Sequence, residues 1–145
     1  MSDPIIVERV IAAPPAVVYA YFTESDKWAR WQGTAAELHP KPGGSFLLTM
    51  ANGLQASGRF LELVPHERVV FTWGWIGYPG LPPGASTVEI VLAAVADGTL
   101  LRLTHSGLPS DEIPVHAVGW GHYLPRLAAV AEGADVGPDL GPPDS

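Results

Sequence analysis

DEIPVHAVGWGHYLPRLAAVAEG, residues 111–133, is the one stretch of this chain with the periodicity of a long helix. Asp111 and Glu112 suit the positive end of a helix dipole, and Gly133 is typical of a helix end. Spacings of three and four place one set of residues on a single face: Ile113, His116, Ala117, Trp120, Leu124, Leu127 and Ala131. Such a face needs a partner layer, and nearly everything before it has the pattern of strands.

The preceding sequence alternates with the period of two that strands require. It predicts strands over residues 5–12, 34–39, 45–51, 54–64, 69–75, 87–95 and 99–106. Asn52-Gly53 and Asp97-Gly98 are strong signals for two-residue hairpin turns. Between the first two strands, Pro14-Pro15 opens a short helix and residues 24–31 form a second one.

These elements predict an α+β fold. A curved antiparallel sheet of six to seven strands wraps around the long C-terminal helix, because two short helices cannot cover so many strands. We expect a single domain over residues 1–133. Residues 134–145 are acidic and rich in glycine and proline, which predicts a disordered tail.

Composition excludes several classes of function. The formal net charge is −7, and only 8 lysines and arginines are scattered along the chain, which argues against nucleic acid. The absence of cysteine excludes disulfides, thiolate metal sites and cysteine nucleophiles, and it fits the cytoplasm. We find no stretch long enough to span a membrane, no signal peptide, no metal-ligand motif and no cofactor motif.

The residues expected between sheet and helix are large and aromatic. Trp73 and Trp75 share a face of one strand with Phe71, and Trp120 and Tyr123 lie on the helix. A curved sheet facing a helix often leaves unfilled volume, so these side chains predict a cavity wall. Trp28 and Trp31 are three residues apart on a short helix. They are either core residues or part of the same wall.

Two of the five histidines point toward this interior. Strand parity places His105 on the face of Leu101 and Leu103, and helical spacing places His116 four residues before Trp120. The two rings can therefore meet. They are either structural, with hydrogen-bond partners for their ring nitrogens, or they orient a polar group of a ligand.

The middle of the long helix is weakened. Gly119 and Gly121 each lower helix stability by about 1 kcal/mol relative to alanine. Pro125 removes a backbone donor, which favours a kink. Two interpretations stay open: a mobile helix that admits a ligand, or glycines that allow close packing on the sheet.

The order of short motifs resembles the START-like or SRPBCC superfamily, and within it the subgroup named after the activator of heat-shock-protein ATPase. The matching pieces are Ala13-Pro14 with residues 17–22, Trp28-Ala29-Arg30-Trp31, Pro42-Gly43-Gly44, Gly58 with Glu62, residues 65–73, residues 103–108, and Gly119-Trp120 followed by Leu124 and Leu127. The resemblance implies the helix-grip fold and a cavity that often takes apolar or amphipathic molecules. It implies no single activity, and a homodimer is a further expectation from the family.

We therefore expect a protein that binds a hydrophobic or aromatic small molecule. The candidate cavity-lining residues are Trp28, Trp31, Phe71, Trp73, Trp75, Leu103, His105, His116, Trp120, Tyr123 and Leu124. One alternative is a protein-interaction role as a chaperone co-factor or stress-response partner. Another is a cyclase- or hydrolase-type enzyme that uses His105 and His116 as acid and base. No catalytic residue is assigned.

Overall fold

The computed structural model describes residues 3–142. In chain order the elements are β1 (Ile5–Ile11), α1 (Pro15–Ala20), α2 (Ser25–Trp31), β2 (Ala35–Leu38), β3 (Ser45–Thr49), β4 (Gln55–Val64), β5 (Arg68–Trp75), β6 (Ser86–Val95), β7 (Gly98–Ser106) and α3 (Ile113–Ala131). A single 3₁₀ turn, Ser110–Glu112, leads into α3.

The seven strands form one antiparallel sheet in the order β1-β7-β6-β5-β4-β3-β2. Each strand from β2 to β7 pairs with its neighbour in sequence, and β1 closes the order beside β7. The sheet, the long C-terminal helix and the two short helices after β1 together make the helix-grip fold. The predicted fold class is confirmed.

Helix α3 buries the face that its spacing predicts, with one exception. His116, Trp120, Leu124 and Leu127 are buried, whereas Ala117 is exposed and was wrongly placed on this face. The buried surface instead broadens to Tyr123, Ala128 and Val130. The helix ends before Gly133, whose φ of 101° is unfavourable for residues with a Cβ.

A cluster of aromatic rings fills the interior next to the short helices. Trp28 stacks on Trp31 with ring centroids 5.7 Å apart, and it stacks on Phe46 at 5.9 Å. Phe22 meets both tryptophans edge-on. Rings in these arrangements stabilise a core beyond their apolar area alone, so this half of the interior is solid.

Glu62 is exposed to solvent. The register between β4 and β5 shifts between Phe60 and Glu62, which is the signature of a bulge. The shift turns the Glu62 carboxylate toward Arg68, with 3.5 Å between Oε1 and Nε. An exposed pair of this kind contributes little stability.

Residues 134–142, which we call the strap, pack against the domain, so the expectation of a disordered tail is corrected for this segment. The Asp139 side chain is fully buried and accepts a hydrogen bond of 2.7 Å from the backbone N–H of Gly33. Arg126 donates to the carbonyl oxygens of Val136 and Gly137. Side-chain partners in α3 hold a segment that has no regular structure of its own. Residues 143–145 lie outside the described part.

Candidate functional site

A cavity of about 590 Å³ lies between the end of β5, the loop that follows it, α3 and the strap. Its volume lies in the range of small-molecule sites. The residues that line it are Gln32, Met50, Ala51, Asn52, Leu54, Trp73, Trp75, Ile76, Gly77, Tyr78, Glu112, Val115, His116, Gly119, Trp120, Tyr123, Leu140, Gly141 and Pro142. Most of this wall is apolar or aromatic.

The structure places five of the eleven candidate residues in the cavity wall: Trp73, Trp75, His116, Trp120 and Tyr123. They come from two elements. β5 supplies Trp73 and Trp75. α3 supplies His116, Trp120 and Tyr123, at spacings of four and three residues. The period of each element, two in the strand and 3.6 in the helix, brings these side chains to one place.

The other six candidates do not line the cavity, and their assignment to its wall is corrected. Trp28, Trp31, Phe71, Leu103 and Leu124 belong to the packed core. His105 is completely buried, with Trp73 and Trp120 ring centroids 6.3 Å and 5.9 Å away. All six side chains face inward, but the packed core fills the space around them. The open volume lies beside the N-terminal half of α3.

Both ring nitrogens of His105 have partners. Trp120 Nε1 donates to Nδ1 at 3.0 Å, so Nδ1 carries no proton. Nε2 lies 2.9 Å from Ser86 Oγ, and Ser86 donates its own proton to the Trp73 carbonyl. His105 is thus the neutral tautomer with its proton on Nε2. Burial, with a smaller effect of nearby His116, lowers its pKa to about 3.

His116 belongs to a second network at the cavity wall. Its Nε2 accepts a hydrogen bond of 3.2 Å from Trp75 Nε1, and its Nδ1 donates to the Glu112 carbonyl at 2.9 Å. The Tyr78 hydroxyl donates to Glu112 Oε2 at 2.5 Å. Burial lowers the pKa of His116, although its contacts with Glu112 oppose that effect. His116 is therefore neutral near neutral pH.

The hydrogen bonds of His105 and His116 leave these two residues little opportunity for acid–base catalysis. His105 and His116 lie edge to face with ring centroids 5.4 Å apart, so they meet as predicted. Yet all four ring nitrogens already make hydrogen bonds. The Ser86–His105 pair looks like part of a catalytic triad, but Ser86 is 2% exposed and its proton is directed at a backbone carbonyl. A nucleophile needs access to a substrate.

One polar atom in the wall lacks a partner. The buried Nε1–H of Trp73 makes no hydrogen bond within residues 3–142. An unpaired buried donor costs about 1–3 kcal/mol. Trp73 lies near the end of β5 and lines the cavity.

Glu112 is the only charged residue among the described residues that line the cavity. It is 7% exposed, and its Oε1 lies 3.7 Å from His116 Nδ1. Since His116 is neutral, the carboxylate has no cationic partner in the described part of the chain. The carboxylate therefore makes its part of the mostly apolar cavity wall negative.

The strap closes one side of the cavity with Leu140, Gly141 and Pro142. It is held by Asp139, which accepts hydrogen bonds from Gly33 and from His122 Nε2 at 2.9 Å. Burial alone would raise the pKa of Asp139, but the hydrogen bonds from His122, Gly141 and Gly33, together with nearby Arg126, hold that pKa below its ordinary value. The Asp139 side chain is therefore ionised at neutral pH.

Sequence patterns missed most of the lining residues. Tyr78 and the residues next to it lie in a loop without periodicity, and the strap has none either. Glu112 had a usable signal, because it stands four residues before His116 on the same helical face. An acidic residue at this position also suits the helix dipole, and that interpretation does not point to a contact with His116.

Metal and membrane sites have no support in the described residues. Among residues 3–142, no three histidine or acidic side chains come together in a way that could hold a metal ion. None of the helices in this part of the chain has the length and apolarity needed to cross a membrane.

Comparison with known families supports the architecture. A family model described as Activator of Hsp90 ATPase homolog 1-like protein matches residues 12–132. A comparison with curated proteins finds no match to the chain.

Several solved structures are similar. The AHSA1-like protein of Rhizobium etli is 47% identical, with 95% of this chain and 88% of that one covered and a TM-score of 0.72. A protein of Chromobacterium violaceum is 32% identical over 92% and 100% of the two chains, with a TM-score of 0.79. A dimer described as Aha1 from Colwellia psychrerythraea is 19% identical over 91% and 98%, with a TM-score of 0.80. That last likeness shows the fold alone.

Proposed function

The chain belongs to the family of Activator of Hsp90 ATPase homolog 1-like proteins, and we propose that it binds an apolar or amphipathic small molecule in the cavity beside α3. The observation that carries the proposal is the aromatic cavity itself. Trp73, Trp75 and Trp120 line about 590 Å³ that no side chain of residues 3–142 fills. Apolar surface of this kind gains free energy when a ligand removes it from water.

The hydrogen bonding of the two histidines favours binding over histidine-based catalysis. The ring nitrogens of His105 and His116 are committed to Trp120, Ser86, Trp75 and the Glu112 carbonyl. A ligand in the cavity would meet indole faces and one carboxylate rather than a positioned nucleophile. The cyclase- or hydrolase-type alternative therefore has the weakest support.

Gly119 offers a direct test of the cavity, because it lines the wall from the middle of α3. A Cβ at this position has only Tyr123 Cε2 within reach, at 4.0 Å, so a larger side chain can grow into the open volume. We expect Gly119→Leu to abolish or strongly weaken calorimetric binding of naphthylethanol, a neutral aromatic probe.

Gly121 is the matched control. It lies two residues further along α3, outside the cavity, and a Cβ there meets nothing within 4 Å. Gly121→Leu should bind the probe as the unmodified protein does. The proposal fails if the unmodified protein binds no naphthylethanol, or if Gly119→Leu binds it as well as Gly121→Leu does.

A second candidate function is association with another protein chain, as a homodimer or a chaperone co-factor. It is favoured by apolar side chains that remain exposed around the cavity mouth: Leu54, Ile76, Val115 and Leu140. The Colwellia psychrerythraea relative is a dimer. Light scattering should then report a dimer that Val115→Asp converts to a monomer. A monomer before any substitution contradicts the homodimer.

A further inference from the structure

The charge of the cavity wall selects among amphipathic ligands. Among the described lining residues there is one carboxylate, on Glu112, and no lysine or arginine. A carboxylate buried without a cationic partner is costly. A ligand that brings a positive charge removes that cost, whereas an acidic ligand adds to it.

A hydrogen bond from Tyr78 holds the Glu112 carboxylate at the cavity wall. Oε2 accepts from the Tyr78 hydroxyl. Oε1 accepts no hydrogen bond from residues 3–142, since the His116 Nδ1 proton goes to the Glu112 carbonyl instead. One carboxylate oxygen is thus held at the wall with acceptor capacity to spare.

Aromatic side chains lie close to Glu112. The Tyr78 hydroxyl donates to the carboxylate directly, and Trp75 Nε1 donates to His116, whose Nδ1 donates to the backbone carbonyl of Glu112. Trp73 packs edge-on against Trp75 with ring centroids 5.5 Å apart. Indole and phenol rings attract cations through their electron-rich faces.

We propose that the ligand of this cavity is an amphipathic amine, whose cationic head meets Glu112, Trp75 and Tyr78 while its apolar body contacts Trp73 and Trp120. The inference rests on the proposed function. The net charge of −7 also favours the approach of a cation over that of an anion.

Three probes with one ring system and different charge test this inference: naphthylethylamine, naphthylethanol and naphthylacetate, each titrated calorimetrically into the full chain at neutral pH. We expect the amine to bind about tenfold more tightly than the acid, with the alcohol between them. Added salt should weaken binding of the amine and leave the alcohol unchanged.

Glu112→Gln should remove the preference for the amine over the acid. Glu67→Gln, which removes the same charge from an exposed turn, is the matched control and should keep the preference. If the glutamine variant does not fold, the three probes and the salt series on the unmodified protein still decide.

The outcomes separate the two proposals. If the alcohol binds and the acid equals or exceeds the amine, the amine inference is overturned and cavity binding stands. If none of the three probes binds, cavity binding itself is overturned.

Discussion

Trp120 Nε1 donates a hydrogen bond to His105 Nδ1 over 3.0 Å, and this bond joins the cavity wall to the buried core. Trp120 lines the cavity, whereas His105 lies behind it and is fully buried. Because the indole N–H can only donate, it keeps the histidine neutral. The relationship makes the stability of the wall depend on the protonation state of a residue that no ligand touches.

Acid should therefore destabilise the protein through His105. Its pKa is lowered from 6.5 to about 3, so between these values the unfolded chain binds a proton that the native chain excludes. Stability falls as the pH falls, by about 2 kcal/mol between about pH 7 and about pH 5 from this residue alone. Urea denaturation at the two pH values measures the loss.

The variant His105→Asn should be less stable at neutral pH, because it leaves polar partners behind. Its further loss between the two pH values should be smaller than that of the unmodified protein. His39→Asn changes an exposed histidine and should keep the full loss. Equal losses in all three proteins would rule out His105 as the source.

The strap should depend on Asp139. Asp139→Ala removes the acceptor for the buried Gly33 N–H and for His122, and an unpaired buried donor costs about 1–3 kcal/mol. We expect a loss of that size in denaturation, with faster hydrogen exchange at the Gly33 amide. Because the pKa of Asp139 is lowered, its contribution persists at neutral pH and disappears as acid protonates it.

Asp135 provides the control for the strap. It is exposed, and its carboxylate accepts a local hydrogen bond from the Gly137 N–H. Asp135→Ala should change stability and Gly33 exchange much less than Asp139→Ala. If the two variants behave alike, Asp139 does not hold the strap.

Alanine substitutions at the glycines in α3 and just after it should change stability in opposite directions, because the backbone conformations of these glycines differ. At Gly119 and Gly121 a Cβ has room, so alanine should stabilise the protein by about 1 kcal/mol at each position. At Gly133 the φ of 101° penalises any Cβ, and alanine should destabilise by about 1–2 kcal/mol. Thermal unfolding measures all three. Stabilisation by Gly133→Ala would contradict the assigned helix end.

Periodicity predicted the parts of the fold that depend on local pattern. The strands, α3 and the inward position of His105 all follow from spacings of two and 3.6 residues. The same patterns show which face of an element a residue lies on. They do not show whether an inward-facing residue belongs to the packed core or to the cavity wall. Trp28 and Trp31 do face inward, yet a stack with Phe46 places them in solid core.

The remaining features of the site depend on contacts between distant residues. The Glu112–Tyr78 hydrogen bond spans 34 positions, and the Gly33–Asp139 hydrogen bond spans 106. The strap has the composition of a disordered tail, and its order depends on a carboxylate that finds buried partners elsewhere. A pattern within one segment carries no information about such partners.

The indole N–H signals of the five tryptophans give the most direct test of cavity binding. Naphthylethanol should be titrated into ¹⁵N-labelled protein while these signals are followed by NMR. We predict shifts for Trp73, Trp75 and Trp120, which line the cavity, and none for Trp28 and Trp31, which lie in the core. Unchanged signals throughout, or shifts confined to Trp28 and Trp31, would contradict a ligand site beside α3.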